Sequence, residues 1–144
     1  MSDAPGIWFG VDVGSVRVGV ARTDPQGVLA VPVTTLRRDE RTDADVDELA
    51  ALVAEYEAVG VVVGLPRTLA GREGTAAGVA REYGARVAAR VAPRPVEYVD
   101  ERLTTVSAQR KLHQGGVRGR AGRAVIDQAA AVELLQHWLE LRRG

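Results

Sequence analysis

The stretch Trp8-Phe9-Gly10-Val11-Asp12-Val13-Gly14-Ser15-Val16-Arg17-Val18-Gly19-Val20-Ala21 decides the fold. Apolar and β-branched residues lie on both sides of Gly14-Ser15, a pattern that predicts a β-hairpin whose second strand runs from Val16 to Arg22. Asp12 then sits at the tip of the hairpin. An ionised carboxylate beside a core is costly unless a cation or hydrogen-bond donors compensate it. Two readings fit the residue: a turn aspartate bonding the Gly14 and Ser15 amides, or a ligand for a metal ion.

Downstream, the turn signal Asp24-Pro25-Gln26-Gly27 precedes a β-branched run from Val28 to Leu36, which predicts a third strand and a meander. Pro32 cannot donate to a ladder, so that strand belongs at an edge or carries a bulge. Thr42-Asp43 reads as a helix cap, and Val46, Leu49, Ala50, Val53 and Tyr56 recur at helical spacing up to Glu57, with the acids facing outward. Val59 to Pro66 is a short continuous apolar run, the pattern of a parallel strand buried on both faces. A second helix spans Ala76 to Val91 despite Gly78 and Gly84, and Pro93 and Pro95 stop it. Val96 to Glu101 is the fifth strand. Leu103 to His113 reads as a short helix, Gln114 to Arg123 as a disordered arginine-glycine loop, and Ala124 to Leu141 as a largely buried terminal helix with Asp127 in its first turn. The order predicts one α/β domain over residues 1–144. Its sheet is mixed and five-stranded, an antiparallel three-strand meander plus two parallel strands, with helices on both faces.

At 144 residues the chain has the size of one domain, and with no cysteine it has neither disulfides nor a thiolate metal site. No apolar run approaches a membrane span and no basic-then-apolar leader opens the chain, so a soluble cytoplasmic protein is expected, with no membrane partner. Formal charge balances at 19 basic and 19 acidic residues, but the distribution is uneven. Acids dominate from Asp39 to Glu57, read as a solvated helix face, whereas Arg110, Lys111, Arg118, Arg120 and Arg123 form a stretch without acids that suits a polyanion. Aromatic residues are few, which argues against base stacking. Trp8 and Trp138 fit either a core or an interface, leaving monomer and homodimer both open.

Asp12, the Asp100-Glu101 pair and Asp127 all fall at segment ends. In an open α/β sheet, ligands collect outside the carboxyl ends of the parallel strands, where these acids could face one another. Strand alternation sends Val96, Tyr98 and Asp100 to one face and Glu97, Val99 and Glu101 to the other, so one of the two adjacent acids enters the cluster. Three carboxylates repel unless divalent cations lie between them, and oxygen-only ligation selects Mg²⁺ or Mn²⁺. Metal-assisted phosphoryl chemistry follows. The plainer readings are an acid favoured at a helix N-terminus for Asp127 and a pairing with Arg102 for Asp100-Glu101.

Four segments, Gly10 to Ala21, Val63-Gly64-Leu65-Pro66, Asp100-Glu101-Arg102-Leu103-Thr104-Thr105 and Val125 to Gln136, resemble in order the motifs of the YqgF family. That family is also called RuvX, the pre-16S rRNA nuclease and Holliday-junction-resolvase-like group. The resemblance implies an RNase H-like fold, a divalent-metal nuclease site and trimming of the 5′ end of precursor 16S rRNA. The motif acids carry over as Asp12, Glu101 and Asp127, with Asp100 the alternative at the second motif. On this reading two Mg²⁺ or Mn²⁺ ions are held by the three acids, while Arg17 and the loop residues Arg118, Arg120 and Arg123 hold the phosphate backbone of structured RNA or branched DNA. The loop is often lysine-rich in relatives; arginine keeps the charge and forks onto phosphate. Gly14 and Gly19 allow close backbone approach, and His113 reads as a helix-end residue. Competing readings are a junction resolvase, a weakly catalytic binding module of the same fold, and an ATPase-type phosphate loop, against which the length of the chain argues.

Overall fold

The computed structural model describes residues 6–66, 74–101 and 119–143. Strands β1 (Trp8–Val13), β2 (Arg17–Thr23) and β3 (Ala30–Arg37) are followed by α1 (Ala44–Glu55), β4 (Gly60–Leu65), α2 (Thr75–Val91), β5 (Val96–Asp100) and α3 (Gly119–Arg143). The five strands form one sheet in the order β3-β2-β1-β4-β5. The first three pair antiparallel, and β4 and β5 join parallel to β1 and to each other. Pro32 lies on edge strand β3, and the β2–β3 register shifts at Val20/Ala21, opposite Thr34 and Pro32, so both devices expected of a strand proline are present.

Strand alternation sorts the sheet into two cores. Phe9, Val11, Val18, Val20, Val61 and Val63 pack with Leu49 and Val53 of α1 and Tyr83 and Val87 of α2. On the opposite face, Trp8, Ala21, Val62 and Val99 pack with Leu134, Leu135 and Trp138 of α3. Burying each such side chain stabilises the fold by about 1.5–3 kcal/mol, which is why one helix suffices to hold the second face. The Trp8 and Trp138 rings stand 4.5 Å apart, centroid to centroid, and are 8% and 5% exposed; both belong to the core. No helix among the described residues is long and apolar enough to cross a membrane.

Three local expectations need correction. The acids of α1 do not all face water: Asp45 is buried, accepting the Asp39 amide at 3.2 Å and lying 3.8 Å from the Arg38 guanidinium, so a local charge partner replaces solvent. Asp43 has a left-handed backbone with φ 56° and makes no side-chain cap; Thr42 Oγ1 accepts the Ala44 amide instead, at 3.2 Å, while the Asp43 carboxylate pairs with Arg86 and Arg90 of α2. The terminal helix begins at Gly119 rather than Ala124. Gly119 to Arg123 are therefore helical, and Asp127 stands in the third turn, beyond the reach of the N-terminal dipole that was one explanation for it. The predicted helix Leu103–His113 and Arg118 lie outside the described residues.

Helix α3 is also fastened to the meander by polar contacts. Gln136 Oε1 accepts the Ala30 amide at 2.9 Å and its Nε2 donates to the Val28 carbonyl at 3.1 Å, and Gln128 Nε2 donates to Thr35 Oγ1 at 3.1 Å. On the other face, Tyr83 is buried with its ring 5.2 Å from the Arg38 guanidinium. Burial, and then the neighbouring Asp45 carboxylate, push the Tyr83 phenol well above its usual range. Folded Tyr83 thus keeps its proton where unfolded Tyr83 loses it, so stability is full below about pH 10 and falls as pH rises past it. In urea titrations at about pH 9, 10 and 11, wild type should lose stability with a slope approaching about 1.4 kcal/mol per pH unit from this residue, and Tyr83→Phe should be flatter by that amount.

Candidate active site

Trp8, Gly10 and Asp12 alternate onto the α3 face of β1, the side chain of Leu135 covering Gly10. Asp12 is only 3% exposed. Its partner on β2 is Gly19, and continuing the β1–β4 register one residue past Val11–Val63 puts Gly64 at its other side. The floor around this carboxylate therefore has no side chains on either flank. Two other acids use that space. The Asp127 backbone of α3 lies so close over Gly19 that a Cβ there would collide with the Asp127 carbonyl. The Glu101 carboxylate reaches back from the end of β5 over Gly64, beside Leu134, and Glu101 is 6% exposed.

Asp12, Glu101 and Asp127 thus share one face at the carboxyl ends of the parallel strands. Val99 belongs to the core under α3 and Tyr98 packs on the other side, which places Asp100 on the face away from Asp12 and half-buried. Asp127 is held by Arg17, whose Nε donates to Oδ2 at 2.8 Å, with the two side chains 28% and 17% exposed. Arg17 was expected on phosphate; here it sits on an acid of the cluster. Among the described residues, no group of three His, Asp or Glu side chains is drawn together to metal-binding distance.

The turn below Asp12 is braced from two directions. The Gly14 amide donates to the Arg17 carbonyl at 2.9 Å, and the Arg38 amide to the Val16 carbonyl at 2.8 Å. The Arg38 Nη1 then donates to the Gly14 carbonyl at 3.1 Å, from a side chain 8% exposed. Arg38 ties the turn to Asp45 and Tyr83, and sequence reasoning missed it: in Arg37-Arg38-Asp39 nothing marks one arginine as buried. The backbones of Arg120 and Arg123 belong to the first two turns of α3, not to a loop; His113 and Arg118 lie outside the described residues.

The two flanking glycines differ in what a methyl group would meet. At Gly19 it meets rigid helix backbone; at Gly64 it meets the end of the Glu101 side chain and a Leu134 methyl. Gly19→Ala should therefore destabilise the fold by about 1–3 kcal/mol through overpacking, and Gly64→Ala by clearly less, measured by urea unfolding of both variants.

The chain is similar to known proteins both in sequence and in architecture. A family model described as "RuvX: Holliday junction resolvase" matches residues 6–141. Curated relatives carrying the name "Putative pre-16S rRNA nuclease" include one from Frankia casuarinae, 60% identical over 136 residues, covering 94% of this chain and 67% of the relative. Another, from Mycobacterium sp. (strain KMS), is 61% identical, covering 94% and 80%, and one from Mycolicibacterium smegmatis is 58% identical, covering 94% and 81%. Among solved structures, Thermus thermophilus RuvC in complex with a Holliday junction substrate superposes with a TM-score of 0.55 at 14% identity, covering 96% of each chain. At that identity the likeness concerns architecture, and it makes the fold RNase H-like. With the family model spanning nearly every residue and relatives at about 60% identity, this chain belongs to the RuvX family.

Proposed function

We propose that the chain is a divalent-metal-dependent nuclease that hydrolyses phosphodiester bonds in the 5′ region of precursor 16S rRNA, acting in the bacterial cytoplasm. The observation that carries this reading is the glycine-cleared floor on which Asp12 and Glu101 are buried with Asp127 alongside. Carboxylates carried onto a floor with no side chains on its flanks offer the oxygen donors that a divalent cation takes. The names of the relatives supply the substrate.

The donor set fits Mg²⁺ or Mn²⁺, since every candidate ligand is a carboxylate oxygen and no cysteine exists in the chain. Asp12, Glu101 and Asp127 would hold the ions, which when bound supply an activated water and charge stabilisation for the leaving oxygen. The remaining work belongs to the chain. Asp12 is fixed on β1 by its rung with Gly19 of β2 and directly follows the Val11–Val63 rung with β4, so its position does not depend on a loop. Arg17 orients Asp127 and offsets its charge toward the other two acids. Leu134 and the packed face of α3 keep bulk water from one side of the site. No side-chain nucleophile is required.

A second reading, cleavage of branched DNA, is favoured by the description of the family model. A substrate panel of 5′-extended rRNA precursor, unrelated structured RNA and a four-way DNA junction separates the two in defined Mg²⁺ or Mn²⁺. Wild type should cleave the precursor, and Asp12→Asn should lose at least about 100-fold in rate, the upper end of what even outer-sphere changes cost a metal site. Calorimetric titration with Mn²⁺ should show weakened binding in the same variant, and undiminished cleavage by Asp12→Asn would refute the assigned site. A triple glutamine replacement of Arg118, Arg120 and Arg123 should flatten the dependence of log affinity on log salt by about 0.7 to 0.9 for every phosphate that is no longer neutralised.

A further inference from the structure

Arg17 and Arg37 are direct partners across the β2–β3 ladder. Residues facing each other in an antiparallel pair have Cβ atoms about 4.5–5.5 Å apart, and like charges in that position are destabilising. Arg17 offsets its charge against Asp127. Arg37 is exposed, and among the described residues it has no ion pair or hydrogen-bond acceptor for its side chain. Its neighbour Leu36 is buried in the α1–α2 core, so alternation turns Arg37 to the α3 face, with Thr35, to which Gln128 of α3 donates. Read across the carboxyl end of the sheet, that face carries Glu101 over β4, Asp12 on β1, Asp127 over β2, then Arg17 and Arg37. Acid passes to base within two strand spacings of Asp12, about 10 Å.

We propose that Arg37 is a phosphate-binding residue of the substrate track, holding a backbone phosphate that flanks the one at the carboxylates. The assignment rests on the nuclease reading above. The uncompensated member of a like-charge rung is placed where a polyanion leaving the acid cluster toward edge strand β3 would meet it, and the guanidinium can take a phosphate with two parallel hydrogen bonds. Because the contact is to backbone, it adds affinity and alignment without sequence preference.

The test uses the full chain and the 5′-extended rRNA precursor. Binding is measured over a KCl series without divalent cation, and cleavage at fixed Mg²⁺ or Mn²⁺. Arg37→Gln should flatten the slope of log affinity against log salt by about 0.7 to 0.9, raise KM several-fold at physiological salt and leave kcat within twofold, while Arg37→Lys recovers most of the slope. Arg22→Gln is the charge-matched control: Arg22 sits at the other end of β2, its guanidinium 4.9 Å from the Tyr56 ring centroid, and its slope should equal wild type. An unchanged slope in Arg37→Gln, or an equal change in Arg22→Gln, overturns the assignment while leaving the nuclease reading intact. Absence of cleavage by wild type in either metal overturns both. Removal of a like charge should leave the thermal midpoint of Arg37→Gln at or above wild type, and a lowered midpoint would make Arg37 a structural residue instead.

Discussion

Helix α3 comes into backbone contact with β2 at Gly19 and lays Leu134 over β4 at Gly64, and everything distinctive about this face depends on that approach. Ordinary helix-on-sheet packing interposes two layers of side chains. With hydrogen in place of one layer, a helix acid reaches the level of a strand acid, and Glu101 can fold back into the same plane. The apolar contacts of Trp8, Val62, Leu135 and Trp138 supply the adhesion that holds α3 down, so the part of the interface that stabilises and the part that gathers charge are separate. That separation lets the carboxylates share one face without the fold depending on their mutual energy.

Much of this was legible from residues taken a few at a time. The hairpin around Gly14, the buried run Val61-Val62-Val63 and the proline of the edge strand are short-range signals, each fixed by alternation or by a missing N–H. Alternation also put Glu101 and Asp100 on opposite faces, which is how the structure has them. What could not be read were features set by a partner distant in sequence. Asp127 looked like a helix-start acid because Gly119 and Gly122 argue against a helix, yet α3 runs through both. Asp45 looked like one more acid on a wet helix face, and only the arrival of Arg38 from the end of β3 allows it to be buried. Arg17 belongs to Asp127, 110 residues away, a pairing no local pattern contains.

The charges also show why a neutral chain can present a charged site. Much of the acidic run in and before α1 is matched by arginines, Asp43 and Asp47 by Arg86 and Arg90 across the α1–α2 contact. Exposed pairs of this kind add little stability. Their effect is local compensation of charge on that side of the sheet, whereas on the α3 face the order across the strands runs from Glu101 and Asp12 through the Asp127–Arg17 pair to Arg37. A field that varies along a line orients an elongated anion, which a uniform one would only attract.

Gln136 carries a consequence for the solution behaviour of the molecule. Its carboxamide accepts from Ala30 and donates to Val28, the same donor-acceptor pair that a neighbouring strand would offer to the start of β3. The side chain of a helix thereby stands in for a sixth strand. Two residues further along, Pro32 has no amide proton to give. An incoming β-segment would find the first rung of β3 taken and a later one missing, so this edge of the sheet offers an interrupted ladder to strand addition.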